Sequence, residues 1–334
     1  MSDSKTLTGP SAANQASQAL VDQLSLPLIC APMFLVSDMK LVLAACQQGI
    51  VGTFPALNER TSDHFATWLH TLEQKLAKLR EQQDYVAPYG INLVVHKSNP
   101  RWQADLQHCV NAKVPLVISS LGAAREVVDA VHSYGGLVYH DVASSYHAKK
   151  AIDAGVDGII AVSQGAGGHA GTINPFALVG EIREFYQGTL LLGGCLSRGD
   201  DILAAQAMGA DLAYLGTRFI NCQESNAEAD YQQMLLDAGA HDIIHTPAVS
   251  GVPANFMRQS LEQAGFDMSA LSNPGEINYG EKLIPENEEA RAWKTVWSAG
   301  QGVSTIHDSP SMAELVQRLK DEYQGAKAKL AAKS

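Results

Sequence analysis

The residues best suited to chemistry in this sequence are one histidine and the glycines around it. In SQGAGGHAGTINPF, glycines at 165, 167, 168 and 171 surround His169, and Pro175 opens the stretch that follows. Glycines remove side chains along a short arc, so backbone can approach a bound molecule closely while one imidazole projects into the same space. Imidazole has an unperturbed pKa of about 6.5, which leaves its donor and base forms both accessible near neutrality. A loop histidine bonded only to backbone is the plainer alternative; the position and neighbours of His169 favour a functional one. Gln164 and Gly168 share the arc and are counted with the ligand-binding residues.

Two more clusters could hold a ligand. GGCLSRGD and LGTRF place Gly193, Gly194, Gly216 and Thr217 at the ends of successive apolar runs. Backbone N–H groups there, with a helix N-terminus, suit the phosphate of a cofactor. His140 and Asp141 end another run and read as a polar pair turned towards that cofactor. A metal would need further ligands at matching positions, and the runs ending at 197 and 219 supply no His or carboxylate, so no metal is expected.

The elements that must position these groups alternate between strand-length apolar runs and helix-length amphipathic stretches. Strands are expected at 26 to 33, 49 to 55, 89 to 95, 114 to 122, 136 to 144, 157 to 165, 189 to 197 and 212 to 219. Helices are expected at about 38 to 48, 63 to 82, 100 to 112, 123 to 134, 145 to 154, 174 to 187 and 199 to 208, with another after Glu224. Eight strands each followed by a helix predict an α/β fold, a (β/α)8 TIM barrel, in preference to an open doubly wound sheet. GVDGIIAV and GADLAYLG share one form, a glycine ending a helix and an acid before the next strand. Residues 1–24 read as a loose polar leader, 25–224 as the barrel, 225–308 as a mostly helical cap, and 309–334 as a closing helix with Met312, Leu315, Val316 and Leu319 on one face.

Composition narrows the partners. Of the 334 residues 46% are hydrophobic and 18% charged, enough apolar surface for a folded core and too little charge for disorder. A formal charge of -11, without a basic patch, argues against nucleic acid. No apolar run reaches the roughly 20 residues of a membrane span, and the N-terminus lacks a signal-peptide pattern. Cys30, Cys46, Cys109, Cys195 and Cys222 are odd in number, show no zinc spacing and read as small hydrophobes in apolar runs, so a cytoplasmic protein is expected.

Taken in order, APM at 31 to 33, GINL at 90 to 93, AGGHAG at 166 to 171, LGGCLS at 192 to 197, LGTRF at 215 to 219 and WSAGQG at 297 to 302 make the chain resemble the nitronate monooxygenase (2-nitropropane dioxygenase) family of FMN-dependent barrel proteins. The resemblance implies FMN as cofactor, with Ala31, Pro32 and Met33 along the flavin ring and Asn92 bonded to the cofactor. Gly193, Gly194, Gly216 and Thr217 would hold the phosphate, Gln301 would reach the flavin, and His169 would be the catalytic histidine. It implies small partners, a nitronate or nitroalkane such as propionate 3-nitronate together with dioxygen, and a homodimer as the assembly. Some relatives carry Lys where this chain has Asp141, and many carry Glu where it has Gly165, which bears on the substrate more than on the cofactor. FMN-dependent NAD(P)H:quinone reductases and enoyl-acyl carrier protein reductases share the scaffold and much of the motif set, so fold alone does not choose the reaction. A phosphosugar isomerase would need a Lys or Glu base inside the barrel, which no strand end clearly offers.

Overall fold

Aliphatic side chains on both faces of the apolar runs are what a parallel sheet covered by helices requires. In the computed structural model, which describes residues 12–122, 125–249, 251–268, 271 and 296–333, those runs form a closed parallel barrel. Its strands are β1 (Leu28–Cys30), β2 (Val51–Pro55), β3 (Tyr89–Val94), β4 (Leu116–Ser120), β5 (Leu137–Val142), β6 (Gly158–Val162), β8 (Thr189–Gly193) and β9 (Leu212–Leu215). β9 closes on β1 with Tyr214 opposite Ile29. Every strand but β2 ends before its apolar run does, because the remaining residues enter the loops of the C-terminal rim.

Alternation along each strand divides the core. Ile29, Val51, Ile118, Tyr139, Ile160, Leu191 and Leu212 fill the barrel interior. Ile91, Leu93, Val117 and Val138 face the helix layer. That layer begins with α2 (Met39–Gln47), α3 (Ser62–Arg80), α4 (Trp102–Ala112), α5 (Arg125–His132), α6 (Ser145–Ala154), α7 (Pro175–Arg183) and α8 (Gly199–Met208). α9 (Thr217–Ile220) is a single turn. The helix after Glu224, α10 (Ala229–Asp237), does not complete the ring: Tyr231, Met234 and Leu235 pack with Ile243, Met257 and Val303 of the cap. The eighth place goes to α12 (Met312–Ala331), started by a Ser311–Glu314 capping box. Met312, Leu315, Val316 and Leu319 are buried against Leu41, Ile202 and Leu215. At Gly199 an added Cβ would strike the Leu319 carbonyl, so α8 and α12 touch backbone to backbone.

The two similar segments are used alike. Gly155 and Gly209 end α6 and α8 in the left-handed conformation, with φ of 92° and 113°. Asp157 Oδ2 then accepts from Val138 N at 2.7 Å, and Asp211 Oδ2 from Leu190 N at 2.8 Å, each hooking its strand to the previous one.

One expectation is corrected and one gains detail. Residues 12–23 do not belong to a loose leader: they form α1 (Ala12–Gln23), which plugs the N-terminal end of the barrel. Ser17 Oγ is fully buried, 2.6 Å from the Tyr139 hydroxyl and 2.7 Å from Thr189 Oγ1, and Leu20 joins the interior cluster. The cap holds strands as well as helices among its described residues. It carries β10 (Ile243–Thr246) and β11 (Ala254–Met257), which form an antiparallel sheet with β7 (Gly168–His169), beside the short helix α11 (Arg258–Gln263). Cap residues 272–295 lie outside the described residues. No described helix is long and apolar enough to cross a membrane.

Candidate active site

The C-terminal ends of the strands form a mouth whose floor is polar on one side. By the alternation that sends Ile118 and Tyr139 inward, Asn92, Ser120 and Asp141 also point inward, one level higher. They are linked: Asn92 Nδ2 donates to Ile118 O at 3.1 Å and to Ser120 Oγ at 2.6 Å, and Ser120 Oγ donates to Asp141 Oδ2 at 2.5 Å. Burial pushes the Asp141 carboxyl up to about 6, with the Ser120 hydrogen bond opposing it. Tyr214 stands across the floor, its phenol raised by burial and then by the Asp141 charge. Gly193 adjoins it, since a Cβ there would lie 3.3 Å from the Tyr214 ring.

His140 does not share this orientation. As the next residue along β5 it faces outward, buried, with Nδ1 2.8 Å from Ser119 Oγ. Burial pushes its pKa down to about 4, so the ring is neutral. The expected polar pair turned towards a cofactor is therefore corrected: Asp141 looks into the mouth and His140 into the helix layer. The period of two in a strand was the signal that separates them.

Loops after β6, β8 and β9 meet the returning chain at 299–302. Gly165 O accepts from Gln301 N at 2.9 Å and from Cys195 N at 3.4 Å, and Gly300 N donates to Thr217 Oγ1 at 2.8 Å. Gln164 is exposed beside them, its N–H donating to Ile173 O at 2.8 Å. Gly165 has φ of 83°, and a Cβ there would strike Cys195 Sγ and Gln301 Oε1, so a side chain at that position is strained and must displace both. Gly194, at φ 124°, packs so closely on Ser163 Oγ that any side chain would collide with protein. Gly216 differs: a Cβ there would sit in ordinary contact, 3.6 Å from Met33 and 3.7 Å from Ala31. Ala31, Pro32 and Met33 thus form one wall with Gly216, held by Asn58 Nδ2 donating to Met33 O at 3.2 Å. Cys195 is a correction to the reading of all five cysteines as buried hydrophobes. It is free, exposed and left-handed at φ 61°, while the other four are buried.

His169 is half-buried and sits in β7, paired with Ala254, while Gly168 pairs with Asn255. Gly168 takes φ of 69° with nothing within 4 Å of an added Cβ, so the arc is open on that side. Asn255 Nδ2 donates to Ala166 O at 2.6 Å, and its Oδ1 lies 3.0 Å from His245 Nδ1. The cap therefore clamps the segment that carries the histidine. Sequence reasoning missed Asn255, His245 and Tyr214: the first two lie in four-residue strands separated by Pro247 and Pro253, and Tyr214 reads as one more apolar strand residue.

Comparison with known proteins gives the family and the fold. A family profile described as nitronate monooxygenase matches residues 17–322. A nitronate monooxygenase of Paraburkholderia phytofirmans is 33% identical over 186 residues, 51% of this chain and 50% of that protein, so the chain spans about half the length of that relative. Among solved structures, a nitroalkane oxidase of Streptomyces ansochromogenes superposes with a TM-score of 0.76 at 24% identity, covering 93% of this chain and 99% of that one. FabK of Thermotoga maritima superposes with a TM-score of 0.77 at 22% identity, covering 95% and 98%. At these identities the two structures establish the barrel fold.

Proposed function

The chain is an oxidoreductase of the nitronate monooxygenase family, and on that premise we propose that it uses FMN and dioxygen to oxidise alkyl nitronates, propionate 3-nitronate among them, at the C-terminal mouth of its barrel. The observation that carries this reading is the clamping of the His169 segment, by Asn255 and β11, onto the rim where the loops after β6, β8 and β9 meet Gln301. The residues present fit FMN. The wall of Ala31, Met33 and Gly216 is apolar and leaves room beside the glycine, as a planar ring needs. The amide of Asn92 offers the ring a polar partner, and the loops at Gly194 and Thr217 stand where barrels hold phosphate.

FMN, when bound, supplies the electron transfer between nitronate and dioxygen. The protein must hold an anion that is already electron-rich, and His169 is suited to donate a hydrogen bond to its nitro oxygens. Towards a neutral nitroalkane, the same imidazole in its neutral form removes the proton from the carbon bearing the nitro group. Gly168 keeps a side chain away from that exchange, while Gly167 lets the arc pack on Gly300 and Thr217.

Replacing His169 by Asn keeps a hydrogen-bond donor and removes the base. Turnover of a neutral nitroalkane should then fall about 100-fold or more, while oxidation of the pre-formed nitronate falls much less. Flavin content and thermal stability measured on the same preparation separate this from lost folding. Near wild-type rates on both substrates with FMN bound would remove His169 from catalysis. The reductase reading has its own signature: anaerobic bleaching of the flavin by NADH or NADPH, in place of bleaching by a nitronate, would replace the monooxygenase assignment.

A further inference from the structure

The polar link across β3, β4 and β5 has a fixed direction. A backbone carbonyl can only accept, so the Asn92 atom 3.1 Å from Ile118 O is the amide nitrogen. The second N–H of that nitrogen goes to Ser120 Oγ at 2.6 Å. Ser120 must then turn its own proton elsewhere, and it does so to Asp141 Oδ2 at 2.5 Å. Both amide hydrogens of Asn92 are thereby engaged within the protein, and no described residue donates to its Oδ1. Asn92 is partly exposed, while its neighbours Ile91 and Leu93 are buried on the other face of the strand, so Oδ1 is an acceptor that the floor offers to a ligand.

We propose that Asp141, acting through Ser120, is a positioning residue that fixes Asn92 with its amide oxygen towards the mouth, so that the site selects a heteroaromatic ring carrying an N–H donor. The proposal rests on the FMN reading above and adds the residues that set the polarity of the floor. Without an acceptor at 141, the Ser120 proton becomes free to point back at Asn92. The opposite amide orientation, oxygen to Ser120 and nitrogen to the mouth, then competes with the first and is opposed only by the Ile118 carbonyl. The floor then changes from acceptor towards donor.

The test uses full-length apoprotein and two probes, FMN and FMN methylated at the ring imide nitrogen, with dissociation constants read from flavin fluorescence. Wild type should bind FMN about 10-fold more tightly than the methylated form, the value of roughly one hydrogen bond. Asn92→Ala should bring that ratio near one. Ser120→Ala and Asp141→Ala should lower it to about threefold or less, whereas Asp141→Asn, whose amide oxygen still accepts from Ser120, should restore it. A purely structural role would weaken both probes together and leave the ratio alone. An unchanged ratio in both Ser120→Ala and Asp141→Ala, or a ratio already near one in wild type, overturns the proposal while leaving FMN binding intact. A wild-type protein that binds neither probe defeats the FMN reading and this proposal with it.

Discussion

The two rims of the barrel are made from the same strands and use their polar groups differently. At the N-terminal rim, polar side chains tie the protein to itself: Asp157 Oδ2 and Asp211 Oδ2 take the N–H groups of Val138 and Leu190, and Ser17 of α1 joins Tyr139 to Thr189. At the C-terminal rim, Asn92 Oδ1 finds no described protein donor, and three non-glycine residues, Leu35, Leu121 and Cys195, take positive φ just after β1, β4 and β8. Lys113 is the fourth such residue, and at the other rim it is an ordinary left-handed helix end. Such backbone costs on the order of 1 kcal/mol or more per residue and survives where the surroundings fix it. Its concentration at one rim fits a division in which that rim recognises ligand and the other supplies stability.

The most disruptive test of that division is at the stabilising rim. Asp157 is 2% exposed, and its Oδ2 serves both Val138 N and, at 2.9 Å, His132 Nε2. Asp157→Ala leaves a strand N–H buried without a partner, so unfolding in urea should show a loss of about 3 kcal/mol. FMN affinity of the folded fraction should stay within about twofold of wild type. Weakened flavin binding without a shift of the urea midpoint would show that the two rims are not separable in this way.

A second effect comes from the neighbours that face opposite ways. For His140 the folded pKa, about 4, lies below the ordinary 6.5, so between these values the unfolded chain binds more protons. Stability from this group is complete above pH 6.5 and is lost as pH falls to about 4, by up to about 3 kcal/mol. Asp141 has the opposite sign: its folded pKa is raised from 3.8 to about 6, so its contribution is complete below 3.8 and is lost as pH rises through 6. Chemical denaturation at a series of pH values should show a flatter acid limb in His140→Asn and a steeper one in Asp141→Asn. Parallel curves for the two variants and wild type would contradict the burial of His140.

Much of this arrangement was legible in residue types. The eight apolar runs and the paired glycine-acid segments led to the barrel, because hydrophobic strands and helix-ending glycines leave local marks. The plug was not legible: the buried face of α1 begins with Ser17, whose role depends on partners more than 120 residues away. The cap strands were hidden because IIHT and ANFM are four residues long and separated by prolines, too short for a period to show. The eighth helix of the ring lies away from the stretch after Glu224 for a topological reason. The chain leaves β9, builds the cap and returns to the ring only at Met312, and periodicity alone does not record such a detour. The exposure of Cys195 is hidden in the sequence because an apolar run carries no information about where the strand inside it ends.

The smallest effect divides the recognition rim itself, between two glycines that look alike in sequence. Gly194 is required by the protein: it has φ of 124°, and a Cβ would press into Ser163 Oγ with Gln164 O only 3.1 Å away. Gly194→Ala should therefore lower the melting temperature and flavin content together. Gly216, at φ -108°, lies outside the left-handed region, and the nearest atoms to an added Cβ belong to Met33 and Ala31 at van der Waals distance. Gly216→Ala should then leave the melting temperature within about 2 °C of wild type, because nothing in the protein has to move. If the space beside Met33 is where FMN lies, the extra methyl occupies part of it, and FMN affinity should fall by about 10-fold, close to 1.4 kcal/mol. Calorimetry of the apoprotein and flavin titration of the same sample read the two quantities separately. Unchanged affinity in a stable Gly216→Ala protein would move the cofactor away from this wall, and a melting temperature as low as that of Gly194→Ala would mean that both glycines serve the fold.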